Sequence, residues 1–141
     1  MGRVRQMINV YGRNSWTLFD SGSRNTYVIP EVAAQLSTTT LPQPTYTKLG
    51  GETKSSSQAA LLIGETEGKP FHTEAMVIDS IGADEEGKAI EVLFGALAMQ
   101  QWGIRLILEQ EKLDLSHYPS QFLGNGGTLC LTGKQPLPFS S

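Results

Sequence analysis

The sequence predicts an all-β fold, and three observations carry that expectation. Fifteen Gly and seven Pro in 141 residues supply turn chemistry along the whole chain. Between those turns recur short β-branched, aromatic or aliphatic runs, as at residues 7–10, 26–29, 75–78 and 90–94. Only two brief segments carry helical spacing, so helices are accessories to the sheet. The length suits one domain with a sizeable core.

In chain order, residues 7–10 read as a strand, 11–15 as its turn and 16–19 as the return strand of a β-hairpin. Residues 26–29 form another short strand, and Pro30 opens a helix of one to two turns through Leu36. Residues 38–44, rich in Thr and Pro, read as a loop. Residues 46–49 and 59–63 read as the arms of a hairpin, with the polar stretch 50–57 as its exposed tip. Residues 75–78 are a strand, and the acidic run 82–88 is a solvated loop. The apolar run 90–94 stops at Gly95. A short helix follows over 96–102, with Leu97, Ala98 and Trp102 facing inward and Gly103 closing it. Residues 104–108 and 112–115 make two strands around a turn at 109–111. From Pro119 the composition shifts to Pro, Gly, Ser and Thr, an irregular tail with one short strand at 128–131.

Composition excludes several classes of function. The formal charge is −3, and no basic cluster exceeds the short start around Arg3 and Arg5, so a nucleic-acid footprint is absent. Cys130 is the only cysteine, which rules out an intrachain disulfide and a thiolate zinc site. His72 and His117 have no ligand-spaced neighbours and read as structural or surface residues, so no metal and no cofactor is expected. Gly127 to Lys134 does not have phosphate-loop spacing, and Gln135 stands where Ser or Thr is needed. No apolar run approaches the ~20 residues of a membrane span. A soluble, cytoplasmic chain without membrane contact is the expectation, with release from a longer tethered or polyprotein precursor as the alternative.

The chemically pointed stretch is Trp16-Thr17-Leu18-Phe19-Asp20-Ser21-Gly22-Ser23. A carboxylate behind an apolar strand costs free energy unless it is paired or used. Taken alone, the stretch also fits a strand ending in an Asx or Ser turn. Far down the chain Leu93-Phe94-Gly95 again runs two apolar residues into glycine, and a short helix follows.

Together these features resemble the retropepsin family, the dimeric aspartic proteases of retroviruses and their bacterial and retrotransposon relatives. The shared pattern is two apolar residues, Asp-Thr/Ser-Gly, a glycine-tipped flap, then apolar-apolar-Gly before a C-terminal helix. The resemblance covers residues 7–116. It implies a single-lobe acid protease fold over residues 1–118, with a β-hairpin flap, one short C-terminal helix and two-fold homodimeric assembly. Residues 119–141 would be a tail that adds to the dimer interface or is a processing remnant. By this resemblance Asp20 is the catalytic acid, supported by Ser21, Gly22, Leu93, Phe94 and Gly95. Ser21 would cross-link the two triplets across the dyad, and Leu18, Phe19, Leu93, Phe94 and Trp102 would wall the site. Ser23, Arg24 and the flap residues Lys48, Leu49, Gly50, Gly51 and Glu52 would meet an extended polypeptide substrate.

Counting acids carries the reading further. The chemistry needs two carboxylates about 3 Å apart sharing one proton. This chain holds one Asp-Ser-Gly, and Asp79-Ser80-Ile81-Gly82 has an extra residue. The second acid would therefore be Asp20 of another copy. Where retroviral members carry an acid two residues after the triplet and an arginine after the second glycine, this chain has Arg24 and Ala96. Arg24 would either favour an acidic substrate side chain or make a different dimer contact. Two rival functions stand beside the endopeptidase: a retropepsin-like dimeric binding module without activity, and a structural β domain in which Asp20 is only a turn acid.

Overall fold

Three two-residue turns set the ladders of the sheet. The computed structural model describes residues 2–119. Strands β1 (Arg3–Val10) and β2 (Arg13–Asp20) meet at Tyr11-Gly12, β4 (Thr38–Leu49) and β5 (Glu52–Thr66) at Gly50-Gly51, and β5 and β6 (Lys69–Val77) at Glu67-Gly68. In each turn both central residues have positive φ, between 51° and 84°. That is the condition for a turn whose twist matches the strands it joins. Each turn fixes its register: Val10 faces Arg13, Leu49 faces Glu52 and Thr66 faces Lys69.

Two short strands complete the main sheet, β3 (Tyr27–Val28) and β7 (Val92–Phe94). The order is β1-β2-β7-β3-β6-β5-β4, and a further pairing of Asn9 with Glu65 brings β1 back against β5. β7 is threaded between β2, to which it runs parallel, and β3, to which it runs antiparallel. The helices are α1 (Pro30–Ala33), opened by its proline, and α2 (Ala96–Gln101). A small second sheet pairs β8 (Arg105–Ile107) with β9 (Lys112–Asp114) around a 3-10 turn at Leu108–Gln110.

Alternation along β2 and β7 divides the core into two faces. Phe19 and Phe94, both fully buried, meet at a tilt with ring centroids 4.9 Å apart, and Phe71 meets Phe94 edge-on at 5.1 Å. Burying such a ring contributes about 1.5–3 kcal/mol. Leu18 and Leu93 point the other way, into a second cluster with Tyr27, Ile78 and Ile90, against which Trp16, Leu49 and Met76 pack. Trp102 belongs to the main core, donating its indole N–H to the His72 carbonyl at 2.8 Å and stacking on Tyr118.

The all-β expectation holds, and several element boundaries shift. Residues 38–44 are not a loop; they open β4, with a register break between Thr40 and Thr45 that accommodates Pro42 and Pro44. β4 ends the sheet, and an edge strand tolerates the N–H that proline lacks. The polar stretch 50–57 is a turn only at Gly50-Gly51; the rest runs in β5. The first turn is two residues, not five, so both hairpin strands are longer than expected. Leu97 does not face inward: it is 47% exposed, while Ala98, Met99 and Trp102 are buried. The expected strand at 128–131 and the rest of the tail lie outside the described residues.

Candidate functional site

Asp20 is the last residue of β2 and is 8% exposed. Its Oδ1 accepts the Gly22 N–H at 2.8 Å, and the Ser23 N–H returns to the Asp20 carbonyl at 3.1 Å, closing the turn. Its Oδ2 lies 3.4 Å from Nε of Arg3, the residue directly opposite it in the β1–β2 ladder. Alternation places Asp20 on the same face as Leu18, so the carboxylate opens toward the second cluster rather than the main core.

β7 and α2 hold the loop from Asp20 to Thr26 from beneath. The buried Gly95 N–H donates to Thr26 Oγ1 at 3.0 Å, the Ala96 N–H to the Ser23 carbonyl at 2.6 Å, and the Leu97 N–H to the Arg24 carbonyl at 3.2 Å. Gly95 is needed for space: a Cβ there would lie 2.2 Å from the Asn25 carbonyl oxygen and 2.9 Å from that of Arg24. Side chains almost never tolerate such contacts, so the loop can sit this low only over glycine.

Of the expected support residues, Gly22 bonds the Asp20 carboxylate, Gly95 lies under the loop that follows it, and Leu93 and Phe94 pair with Leu18 and Phe19 of β2. Phe19, Phe94 and Trp102 do not wall the site; they lie in the main core on the far face of the sheet, and Leu18 and Leu93 alone of the five face the second cluster. Within this single chain the Ser21 hydroxyl is engaged with Gly2, accepting its N–H at 2.8 Å and donating to its carbonyl at 3.2 Å. Ser23 is half-buried and donates its hydroxyl to the Asn25 carbonyl, while Arg24 is exposed.

The β4–β5 hairpin supplies the flap-like element. Leu49 packs on the second cluster, Lys48, Gly50, Gly51 and Glu52 form the exposed tip, and Thr47 Oγ1 accepts the Tyr27 hydroxyl at 3.0 Å. Lys54 ties the hairpin down, reaching Ser80 Oγ at 3.0 Å, Glu52 at 3.1 Å and Asp79 at 3.4 Å. The Asp79-Ser80 pair that imitates the motif therefore anchors the hairpin.

Three depressions are lined by neighbours of Asp20 in β1, β2 and the loop that follows, though not by Asp20 itself. One, of 290 Å³, runs between the Arg24 loop and the hairpin. A second, of 340 Å³, is lined by Arg3, Arg5, Leu18, Asp84 and Ile90. The third, of 500 Å³, is lined by Gly2, Ser21, Met99, Ile104 and Leu108. In the second, Arg5 is paired with Glu85 and Glu111. The Asp84 carboxyl is held below its ordinary value, chiefly because the Lys88 backbone N–H bonds it, with the Trp16 indole N–H adding to the effect. Arg3, Tyr27, Thr47 and Lys54 were not among the expected site residues. The hairpin register, had the turn been pinned to two residues, points to Arg3; no sequence signal marks the others. Among the described residues no group of three or more His, Cys, Asp or Glu is placed to hold a metal ion.

No family model and no curated protein sequence matches the chain. Solved structures do. The retroviral protease-like domain of Ddi1 from Leishmania major superposes with a TM-score of 0.59 at 11% identity, covering 84% of this chain and 94% of that one. The EIAV protease, solved with an inhibitor, gives a TM-score of 0.54 at 16% identity, covering 75% of this chain and 93% of that one. The chain has a retropepsin-like fold.

Proposed function

From the retropepsin-like fold as premise, we propose that residues 1–118 form an aspartic endopeptidase domain that works as a two-fold homodimer. One observation carries the reading: the single Asp-Ser-Gly acid is buried at a strand end, fixed through Gly22, and set on a loop that β7 and α2 hold from beneath. That degree of support exceeds what a turn acid needs.

In the proposed dimer the two Asp20 carboxylates share one proton, since two ionised acids at contact distance repel strongly. One takes a proton from a water as it attacks the scissile carbonyl, and the other, protonated, hydrogen-bonds the carbonyl oxygen. The titration belongs to the pair. The substrate lies extended under the β4–β5 hairpin, where main-chain bonds give affinity and the depressions beside Asp20 give selectivity. Lys48, Leu49, Gly50, Gly51 and Glu52 would close over it. Ser21 would exchange its bonds to Gly2 for bonds across the two-fold axis.

The test is peptide cleavage by the purified chain and by Asp20→Asn. Cleavage should vanish in the variant with the fold retained. Mixing wild type with an equal amount of Asp20→Asn should leave about a quarter of the dimers fully wild type, so activity falls as the square of the wild-type fraction. Unchanged cleavage in Asp20→Asn removes Asp20 from the chemistry; a linear fall on mixing removes the shared site.

A further inference from the structure

The 290 Å³ cleft beside the Asp20 loop has a charge pattern that peptide hydrolysis itself does not require. Arg24 stands on its inner wall, four positions beyond Asp20, and the main chain there is fixed by the Leu97 N–H and by the contact with Gly95. The guanidinium is exposed and has no ion pair among the described residues. Thr45 and Thr47 of β4, Ser56 of β5 and Thr73 of β6 also line the cleft, the Ser56 hydroxyl donating to the Gln58 carbonyl and Thr47 Oγ1 accepting the Tyr27 O–H, while Met76 and Ile78 supply apolar surface. Glu74 also lines the cleft and borders the adjoining depression with Ser37, Thr39 and Leu61, which places it on the outer rim. The cleft therefore has a mixed polar and apolar lining, with a cation near the acid loop and an anion away from it.

A free guanidinium in such a cleft is a receptor for a carboxylate, because a planar donor fork matches two carboxylate oxygens. The cleft across the site differs: Arg5 there is already paired with Glu85 and Glu111, and Arg3 lies against Asp20. We propose that the cleft selects an acidic side chain of the polypeptide, Asp or Glu, held by Arg24 close to the scissile bond. Glu74 disfavours a second acid farther out. The inference rests on the endopeptidase reading of Asp20 and names the substrate class of that site.

The experiment profiles a peptide library whose members differ at one position among Asp, Glu, Asn, Gln, Lys, Arg and Leu. Cleavage sites are mapped by mass spectrometry for wild type, Arg24→Gln and Arg24→Glu. Binding of the same peptides is measured by calorimetry on Asp20→Asn and on Asp20→Asn/Arg24→Glu. Wild type should favour the acid over its amide about tenfold, the scale of one charge-assisted hydrogen bond. Arg24→Gln should abolish that ratio, and Arg24→Glu should turn it toward Lys and Arg. Cleavage with no acid preference, or a profile unchanged in Arg24→Glu, overturns the inference and leaves the endopeptidase standing. No cleavage, with acidic peptides still bound through Arg24, overturns the endopeptidase and keeps the selectivity. Neither cleavage nor Arg24-dependent binding overturns both.

Discussion

Gly95→Ala is the substitution that asks most directly whether the Asp20 loop is held from beneath. The new methyl would lie 2.2 Å from the Asn25 carbonyl oxygen, 2.6 Å from the Asn25 carbonyl carbon and 2.9 Å from the Arg24 carbonyl oxygen. All three are backbone atoms, so no rotamer change relieves the clash and the loop must rise. Overpacking of this kind costs about 1–3 kcal/mol. Lifting the loop also strains the bonds from the Gly95, Ala96 and Leu97 N–H groups, each contributing about 0.5–1.5 kcal/mol. The sum is about 2.5–7.5 kcal/mol, a large share of the roughly 5–15 kcal/mol that stabilises a domain of this size. At a urea dependence near 2 kcal/mol per molar, the midpoint should fall by about 1–4 M. Gly12→Ala is the control. Gly12 has φ +82° and nothing within 4 Å of a Cβ, so only backbone strain of about 1 kcal/mol is expected. Urea titrations of the two variants followed by tryptophan fluorescence make the comparison. A Gly95→Ala midpoint equal to that of Gly12→Ala would refute the claim that Gly95 sets the height of the loop.

Two further outcomes follow from the structure. The Asp84 carboxyl is held below its ordinary range by N–H donors, the Lys88 backbone foremost, and that of Glu111 by its hydrogen bond from Arg5. A depressed folded-state pKa contributes stability that is present above the unfolded value and lost as pH falls through the folded one. Stability should therefore decline as pH drops below about 4, and Asp84→Asn should show a shallower decline in urea titrations from pH 7 to pH 3; an identical slope would count against Asp84. Lys54→Ala should leave the core intact, because its partners are exposed, but should speed amide exchange along residues 52–56 in hydrogen-exchange mass spectrometry. Unchanged exchange there would mean that Lys54 does not restrain the hairpin.

What the sequence made legible was local or two-periodic. The all-β class followed from turn density and short β-branched runs, and Asp20 stood out because an acid closes an apolar strand. Phe19 and Leu18 show the cost of reading composition without parity: both were assigned to the site wall, yet adjacent strand residues point to opposite faces, and Phe19 went to the core. Arg3 shows the same for register. A two-residue turn at Tyr11-Gly12 makes every facing pair sum to the same value, which sets Arg3 opposite Asp20. Tyr11 at φ 51° gave no local sign of that turn, because a tyrosine rarely takes positive φ. Pro42 and Pro44 suggested a loop because proline breaks central strands, and only the sheet order reveals that β4 is an edge. The threading of β7 between β2 and β3 is long-range, so periodicity carried no trace of it; the resemblance alone anticipated that Leu93-Phe94-Gly95 would meet the Asp20 loop.

That threading also explains why so much of the chain bears on one carboxylate. Asp20 touches Arg3 from β1 and Gly22 from its own turn, while Thr26, Ser23 and Arg24 of the same loop are held by the first three N–H groups after Phe94. The Gly22 bond is local and the Arg3 contact lies within the β1–β2 hairpin, whereas the bonds from Gly95, Ala96 and Leu97 join segments distant in sequence and need β7 in place. A rigidly presented single acid is what a two-fold site requires, because each copy must deliver its carboxylate to a partner's without rearranging its own turn.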